Sequence, residues 1–367
     1  MPPHLTYFLR VCLTLLAAWL AAELCVALHT PLPWMIGPLL VTALLSMMGA
    51  ATRSATACRN AGQWTIATAL GLYFTPEVAR LVSGLWWAIA LAIVWALLLG
   101  WGFGAWLYRM TAPRMPLLAA RPARATCYFA GAIGGASEMT LLAEREGART
   151  DLVAAAHSLR LLIVTITIPF ALQWSGLQGI DHLPPATRVV DATGLIILMT
   201  ATGAGALVMR RLGRANPWFL GALLVTLLIT VTGHTLSAIP QIMVNAAQLF
   251  IGVSLGVRFS REFLRTAPRW MGMVAVGTFA LMALCALFAV GLSWLTGQHW
   301  VTLVLSTSPG GIAEMAITAK VLQLGVPVVT AFQVCRLIAV LLLVAPLYRR
   351  LYGPRAAEAQ EKTPLAR

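Results

Sequence analysis

The chain has 367 residues, of which 59% are hydrophobic and only 10% charged, with a net charge of +14. A soluble globular protein carries about 25% charged residues, so this chain lacks the polar surface to stand in water and reads as a polytopic membrane protein with a mean hydropathy of +0.82. The excess of arginine does not imply direct nucleic-acid binding, because no soluble segment is long enough for such a module and basic residues of membrane proteins collect in cytoplasmic loops.

The first apolar run, Leu5–Leu28, is longer than a signal-peptide core and ends without a small-residue cleavage site, so it is expected to be a retained first helix. Further runs follow near 31–49, 60–76, 82–108, 126–144 and 150–171. A polar linker over 173–189 precedes a second series near 190–209, 216–233, 240–257, 270–296, 300–319 and 326–348. Runs of about 20 residues match a hydrocarbon core about 30 Å thick. The six cysteines are scattered without a CxxC pair, so neither disulfides nor a zinc site is expected.

The two series are copies of each other. Residues 134–164 align without a gap on 310–340, with ten identities in 31 positions that include Gly134/Gly310, Gly135/Gly311, Glu138/Glu314, Met139/Met315 and Arg160/Arg336. Pro33–Leu45 matches Pro217–Ile229, and Asn60–Phe74 matches Asn245–Phe259, in the same order. Chance likeness between leucine-rich helices explains matched leucines, but not matched Pro-Trp, Asn, Gln, Glu and Arg in register. The expected organisation is therefore a first transmembrane repeat over 1–172, the linker over 173–189, a second repeat over 190–348 and a cytoplasmic tail over 349–367.

Charge fixes how the copies sit. If all twelve segments cross, Lys and Arg divide almost evenly between the two sides. If the fifth segment of each half enters and returns to the same side, 21 of the 26 basic residues fall on the inner side, as the positive-inside rule prefers. Each half then has five spans plus one broken or re-entrant helix, an odd number of crossings, so the second half is inverted relative to the first. The expected fold is all-α, with two inverted-topology repeats and both termini cytoplasmic in a bacterial inner membrane. Inverted repeats with discontinuous helices meeting near the midplane are typical of secondary transporters.

The matched polar residues mark the candidate site. A charge at the centre of a spanning helix costs about 2.5–3.5 kcal/mol, and four such charges recur in register: Glu138, Glu314, Arg160 and Arg336. Glycine pairs stand before each glutamate, Gly134-Gly135 and Gly310-Gly311, and predict a helix start inside the membrane with N–H groups facing a cavity. Ser306, Thr307 and Ser308 before Pro309 supply N-cap chemistry for the second of these starts. Two readings stay open for the arginines: a resting Glu–Arg ion pair, or an anion-binding guanidinium released when solute arrives. His157 has Gln333 as its counterpart, so the repeat does not single it out. Asn60/Gln63 and Asn245/Gln248 each share a helix face and join the list of candidate solute-binding residues. Trp34 and Trp218 read as interfacial anchors, with Gly37 and Gly221 as packing sites.

The doubled GG-x-x-EM motif with its later Arg-Leu, together with the doubled PW-x-x-G, resembles the AbrB-duplication family of bacterial membrane proteins over roughly Leu15 to Leu347. The resemblance implies one of three labels: a regulator, an ammonia monooxygenase or a transporter-like protein. A monooxygenase needs clustered metal ligands, yet the six histidines are spread singly. No metal or cofactor is therefore expected, and the enzyme reading is disfavoured. The leading expectation is a permease for a small, anionic solute, with any effect on gene expression indirect. A membrane-bound sensor using the same cavity is the alternative. Solute and lipid bilayer are the expected partners, direct nucleic-acid binding is not, and a homo-oligomer stays open.

Overall fold

The computed structural model describes residues 3–111, 120–176, 187, 189–214, 216–259 and 268–352. Most of the linker and the tail beyond Tyr352 lie outside the described residues. Within them the chain folds into fifteen helices. The first half supplies α1 (Pro3–Ala27), α2 (Pro33–Met47), α3 (Thr56–Gly71), α4 (Pro76–Gly84), α5 (Trp86–Thr111), α6 (Ala120–Gly131), α7 (Ala136–Arg145) and α8 (Thr150–Trp174). The second supplies α9 (Ala192–Arg211), α10 (Pro217–Val231), α11 (Gln241–Gly256), α12 (Pro268–Thr296), α13 (Trp300–Thr307), α14 (Ile312–Val321) and α15 (Val326–Tyr352).

Six helices, α1, α5, α8, α9, α12 and α15, are long and apolar enough to cross a membrane. Their outward faces are apolar, with Leu16 and Leu20 on α1 and Phe279 and Leu287 on α12 exposed. An apolar exterior of this extent marks a surface made for lipid. The sequence reading took α2, α3, α10 and α11 as full spans as well. At 15 or 16 residues each they reach only about 24 Å, short of a 30 Å core. They pack on one another, α2 on α11, α3 on α10 and α3 on α11, while α2 also packs on α1 and α10 on α9. One short helix went unforeseen: α4, started by Pro76 and capped by Thr75, whose hydroxyl accepts from the Val78 N–H.

Contacts recur with the halves exchanged. As α2 packs on α11, so α10 packs on α3; as α12 packs on α8, so α5 packs on α15. Both Pro-Trp pairs open their helices after a residue in the left-handed region, Leu32 (φ 49°) and Asn216 (φ 47°). Asparagine tolerates that conformation; leucine rarely adopts it. Both tryptophans of these pairs are partly buried and have packing partners. Trp34 packs against the cluster of Ala18, Leu249 and Val253, and the half-buried Trp218 lies 6.1 Å from the Trp64 ring. Gly37 and Gly221 do mark close crossings, since a Cβ there would lie 2.6 Å from Ala21 O and 2.5 Å from Gly205 O.

The segments that carry the repeated glutamates are broken and folded back. In the first half, Thr126 Oγ1 on α6 accepts the Arg149 N–H, 2.9 Å away, just beyond the end of α7. Were α6 and α7 collinear, residues so far apart in sequence would be separated by about 35 Å at about 1.5 Å per residue. The matched positions touch in the second half: Gly325, before α15, lies against Thr302 on α13, with Cγ2 2.9 Å from where a Cβ would stand. Each pair of short helices, α6–α7 and α13–α14, is thus a hairpin. The first opens beside the C-terminal end of α15, where Arg349 Nε donates to Glu146 Oε1 at 2.7 Å. The second runs directly into the N-terminal end of α15. The two hairpins therefore open at opposite ends of a 27-residue helix, about 40 Å apart.

Candidate functional site

A broken helix exposes carbonyls where it stops and N–H groups where it restarts. In the first hairpin α6 stops at Gly131 and α7 restarts with Gly135 as its N-cap. Arg160 on α8 reaches into the gap and donates from Nη1 to Gly131 O (3.2 Å) and from Nη2 to Ala132 O (2.7 Å). Its Nη2 also lies 3.3 Å from His157 Nδ1. Arginine has no lone pair to offer, so the ring nitrogen accepts and the His157 proton sits on Nε2. Glu138, three residues past the N-cap, folds its carboxylate back over Gly135, where an added Cβ would collide with Oε2. That is the reach of the glutamate in a capping box. It also explains the glycine: any side chain at the N-cap would evict the carboxylate. The preceding Gly134 accommodates Met139, whose Cε would lie 2.9 Å from a Cβ.

The second hairpin repeats this arrangement. Arg336 donates to Ser308 O (2.6 Å), Gly310 O (2.9 Å) and Thr307 O (3.4 Å) at the end of α13. Its Nη2 donates to Gln333 Oε1 at 2.5 Å, and Gln333 Nε2 donates to Leu305 O at 2.7 Å. Glu314 folds over Gly311, the N-cap of α14, and Met315 packs under Gly310. Every matched residue of the GG-x-x-EM…R pattern thus completes one broken helix.

Two expectations are corrected here. The resting Glu–Arg ion pair does not form: the ion pairs among the described residues are Arg149–Asp151 and Arg349–Glu146. Glutamate and arginine serve opposite ends of the break, the carboxylate at the N–H end and the guanidinium, with its several donors, at the carbonyl end. Nor do Ser306, Thr307 and Ser308 cap the restarting helix. Ser306 and Thr307 donate back to Thr302 O and Leu303 O within α13, Ser308 stands at its C-cap, and Gly311 takes the N-cap.

The two hairpins meet at one cavity of about 350 Å³. Of the candidate residues, Asn60, Gln63, Gly134, Gly135, Glu138, Gly310, Gly311, Glu314 and Arg336 line it, while Arg160, Asn245 and Gln248 do not. Arg160 lies buried behind the wall, committed to the α6 carbonyls. Gln248 is buried in helix packing, and Asn245 accepts from Gln241 near the start of α11. The cause is direction: the start of α3 meets the cavity, but so does the end of α11, so matched residues on these helices lie at opposite ends. The α11 wall is therefore supplied by Ser254, Leu255 and Arg258.

Three cations on the wall escaped the sequence reading: Arg59, Arg210 and Arg258. None is matched in the repeat, and each reads as an inner-loop charge at a helix end. The adjacency of Arg59 to Asn60 was the one available signal. With Arg336 they set four guanidiniums against the carboxylates of Glu138 and Glu314, and Trp218 and Asn216 add an aromatic face and an amide. Such a wall attracts an anion and supplies planar donors to hold it. Among the described residues no three His, Cys, Asp or Glu side chains gather where they could share a metal ion.

Helices long enough to cross a bilayer, wrapped around two folded-back broken helices that share a charged cavity, define a polytopic α-helical membrane protein. The family model described as "Transition state regulatory protein AbrB" matches residues 34–352, and the chain belongs to that family. It is similar to the "Uncharacterized protein YhjN" of Bacillus subtilis (strain 168), 27% identical over 91% of each chain. It is also similar to the "Putative regulator AbrB" of Escherichia coli (strain K12), 25% identical over 86% of this chain and 89% of the relative. No solved structure matches.

Proposed function

We propose that this protein is a secondary transporter, a permease for a small anionic solute in the bacterial inner membrane, with its halves inverted and both termini cytoplasmic. The observation that supports the reading is the shared cavity: the N-caps of two broken helices that open at opposite ends of α15 line it together with four arginines. Half-helix N-termini aimed at an anionic group, with rocking of one repeat against the other, is a known way to build alternating access. Here each N-terminus is already covered by its own glutamate. An entering anion is held by Arg59, Arg210, Arg258 and Arg336 and competes with Glu138 and Glu314 for the helix ends. Gene expression responds indirectly, through the solute pool.

Liposomes test this. Purified protein should exchange at least one member of a panel of radiolabelled mono- and dicarboxylates, and E138Q/E314Q/R258Q should lose most of that flux while melting normally. Unchanged flux in the triple variant sinks the assigned site. The name "Putative regulator AbrB" carried by one relative favours a second reading, a membrane sensor with the same cavity. Binding of a carboxylate without flux would select it. Inversion has its own check: single cysteines at Gly147 and Gln323, beside the open ends of the two hairpins, should label from opposite sides of the membrane. Labelling from one side removes the inverted arrangement.

A further inference from the structure

A second cavity, of about 310 Å³, lies away from the shared one, between the last turns of α5, the start of α6 and the end of α15. Two cations line it, Arg109 and Arg124, with three tyrosines and Trp101, and no acidic side chain is among the lining residues. The Arg124 guanidinium lies 4.9 Å from the Tyr108 ring centroid and 5.3 Å from that of Tyr352. Tyr352 is itself fixed, its hydroxyl accepting from Trp101 Nε1 at 3.0 Å. Aromatic faces stabilise and orient a guanidinium without using its N–H groups. The planar donor edge stays free for an oxyanion, and a phosphodiester matches that fork.

The surroundings decide which oxyanion. From this cavity an exposed apolar stripe runs back along α5 through Trp101, Leu98, Val94 and Leu91. These are spaced as one helix face, on a helix long enough to cross a bilayer. A free phosphate has no use for such a track, whereas a lipid acyl chain fits along it. Basic pockets between spanning helices at the headgroup level bind anionic lipid heads, and juxtamembrane cations attract them. We propose that this cavity is a site for one anionic phospholipid, its phosphate on Arg109 and Arg124 and an acyl chain along the α5 stripe. The site touches the solute machinery: Tyr128 on its wall donates to Val344 O on α15 and belongs to α6, the entry arm of the first hairpin.

Full-length protein in neutral detergent, titrated with dioleoylphosphatidylglycerol, provides the test through its melting midpoint. Ligand that binds only the native state raises that midpoint. The lipid should stabilise the wild type, while dioleoylphosphatidylcholine and inorganic phosphate at equal concentration should not. R109Q and R124Q should each weaken the effect about tenfold. The side chain of Arg109 is exposed, so R109Q folds and decides the matter even if R124Q does not. Equal stabilisation by phosphatidylcholine, stabilisation by phosphate alone, no effect of phosphatidylglycerol, or an unchanged response in R109Q would each overturn the proposal.

Discussion

The two hairpins are built from the same parts and set in different surroundings. Each has a glycine N-cap under a folded-back glutamate, a methionine beneath the first glycine and an arginine on the carbonyls of its entry arm. The second hairpin is sunk in the protein: Ile312 through Ala319 are all buried, and Glu314 is only 7% exposed. The first hairpin stands at the rim. Leu141, Glu144 and Arg145 are exposed, Glu138 is half-buried, and the turn beyond carries the ion pairs Arg149–Asp151 and Arg349–Glu146. The repeated motif therefore specifies how to break a helix inside a membrane protein, while the surroundings decide how tightly each break is held.

The largest expected effects come from the arginines. Removing Arg336 takes a donor from the carbonyls of Thr307, Ser308 and Gly310, of which Ser308 O keeps only a long bond of 3.4 Å from Gln333 Nε2, and each buried unpaired group costs about 1–3 kcal/mol. Arg336→Ala should lower stability by about 3 kcal/mol or more, measured by thermal melting in detergent. Arg160→Ala, which frees two carbonyls rather than three, should cost less. Equal costs would mean that burial, not hydrogen-bond number, governs the break. A smaller contrast separates the N-caps. A Cβ at either position displaces its glutamate, and Glu314 at Gly311 is the more tightly packed of the two, only 7% exposed. Gly311→Ala should cost about 1–3 kcal/mol, as overpacking does. Gly135→Ala should cost less, because the half-buried Glu138 swings into the cavity, and it should alter solute exchange more than stability. A Gly135→Ala variant that melts as low as Gly311→Ala breaks the distinction.

How far the sequence revealed this site depends on which residues are repeated. The break, the fold-back and seven of the cavity residues are legible because glycine, glutamate and arginine cannot be spared from a broken helix, so both copies keep them; Asn60 and Gln63 are legible as matched amides on α3. Their local roles are not legible. Sequence separation puts Glu138 near Arg160 along the chain, but only the geometry assigns them to opposite ends of the gap. Arg59, Arg210 and Arg258 escape because the cavity has no duplicate: the start of α3 and the end of α11 share it, and matched residues point apart. Asn245 and Gln248 were carried along by the repeat for the same reason. The lengths of α2, α3, α10 and α11 fail differently, since apolar runs fix where helices occur but not where turns such as those at Gly49 and Gly233 cut them short.

The smallest expected effect is the most specific to the comparison, because it exchanges the matched pair that differs beside the two arginines. His157 and Gln333 both accept from the neighbouring arginine, yet they are not equivalent. Gln333 uses its second group as well, donating to Leu305 O, whereas His157 Nε2 is buried with no hydrogen-bond partner among the described residues. His157→Gln keeps an acceptor for Arg160 and replaces a stranded ring N–H with a flexible amide. It should change stability by less than about 1 kcal/mol, or raise it slightly, since an unsatisfied buried donor is itself costly. Gln333→His must keep one ring nitrogen bare for Arg336 and can reach Leu305 O only by pointing the other along the same line as the amide. It should cost about 1–2 kcal/mol, the loss of a buried hydrogen bond with its partner left unpaired. The two melting curves, read against wild type, separate a shared acceptor role from a role unique to the second hairpin. A costly His157→Gln beside a neutral Gln333→His would reverse the assignment and make the histidine the more exacting partner.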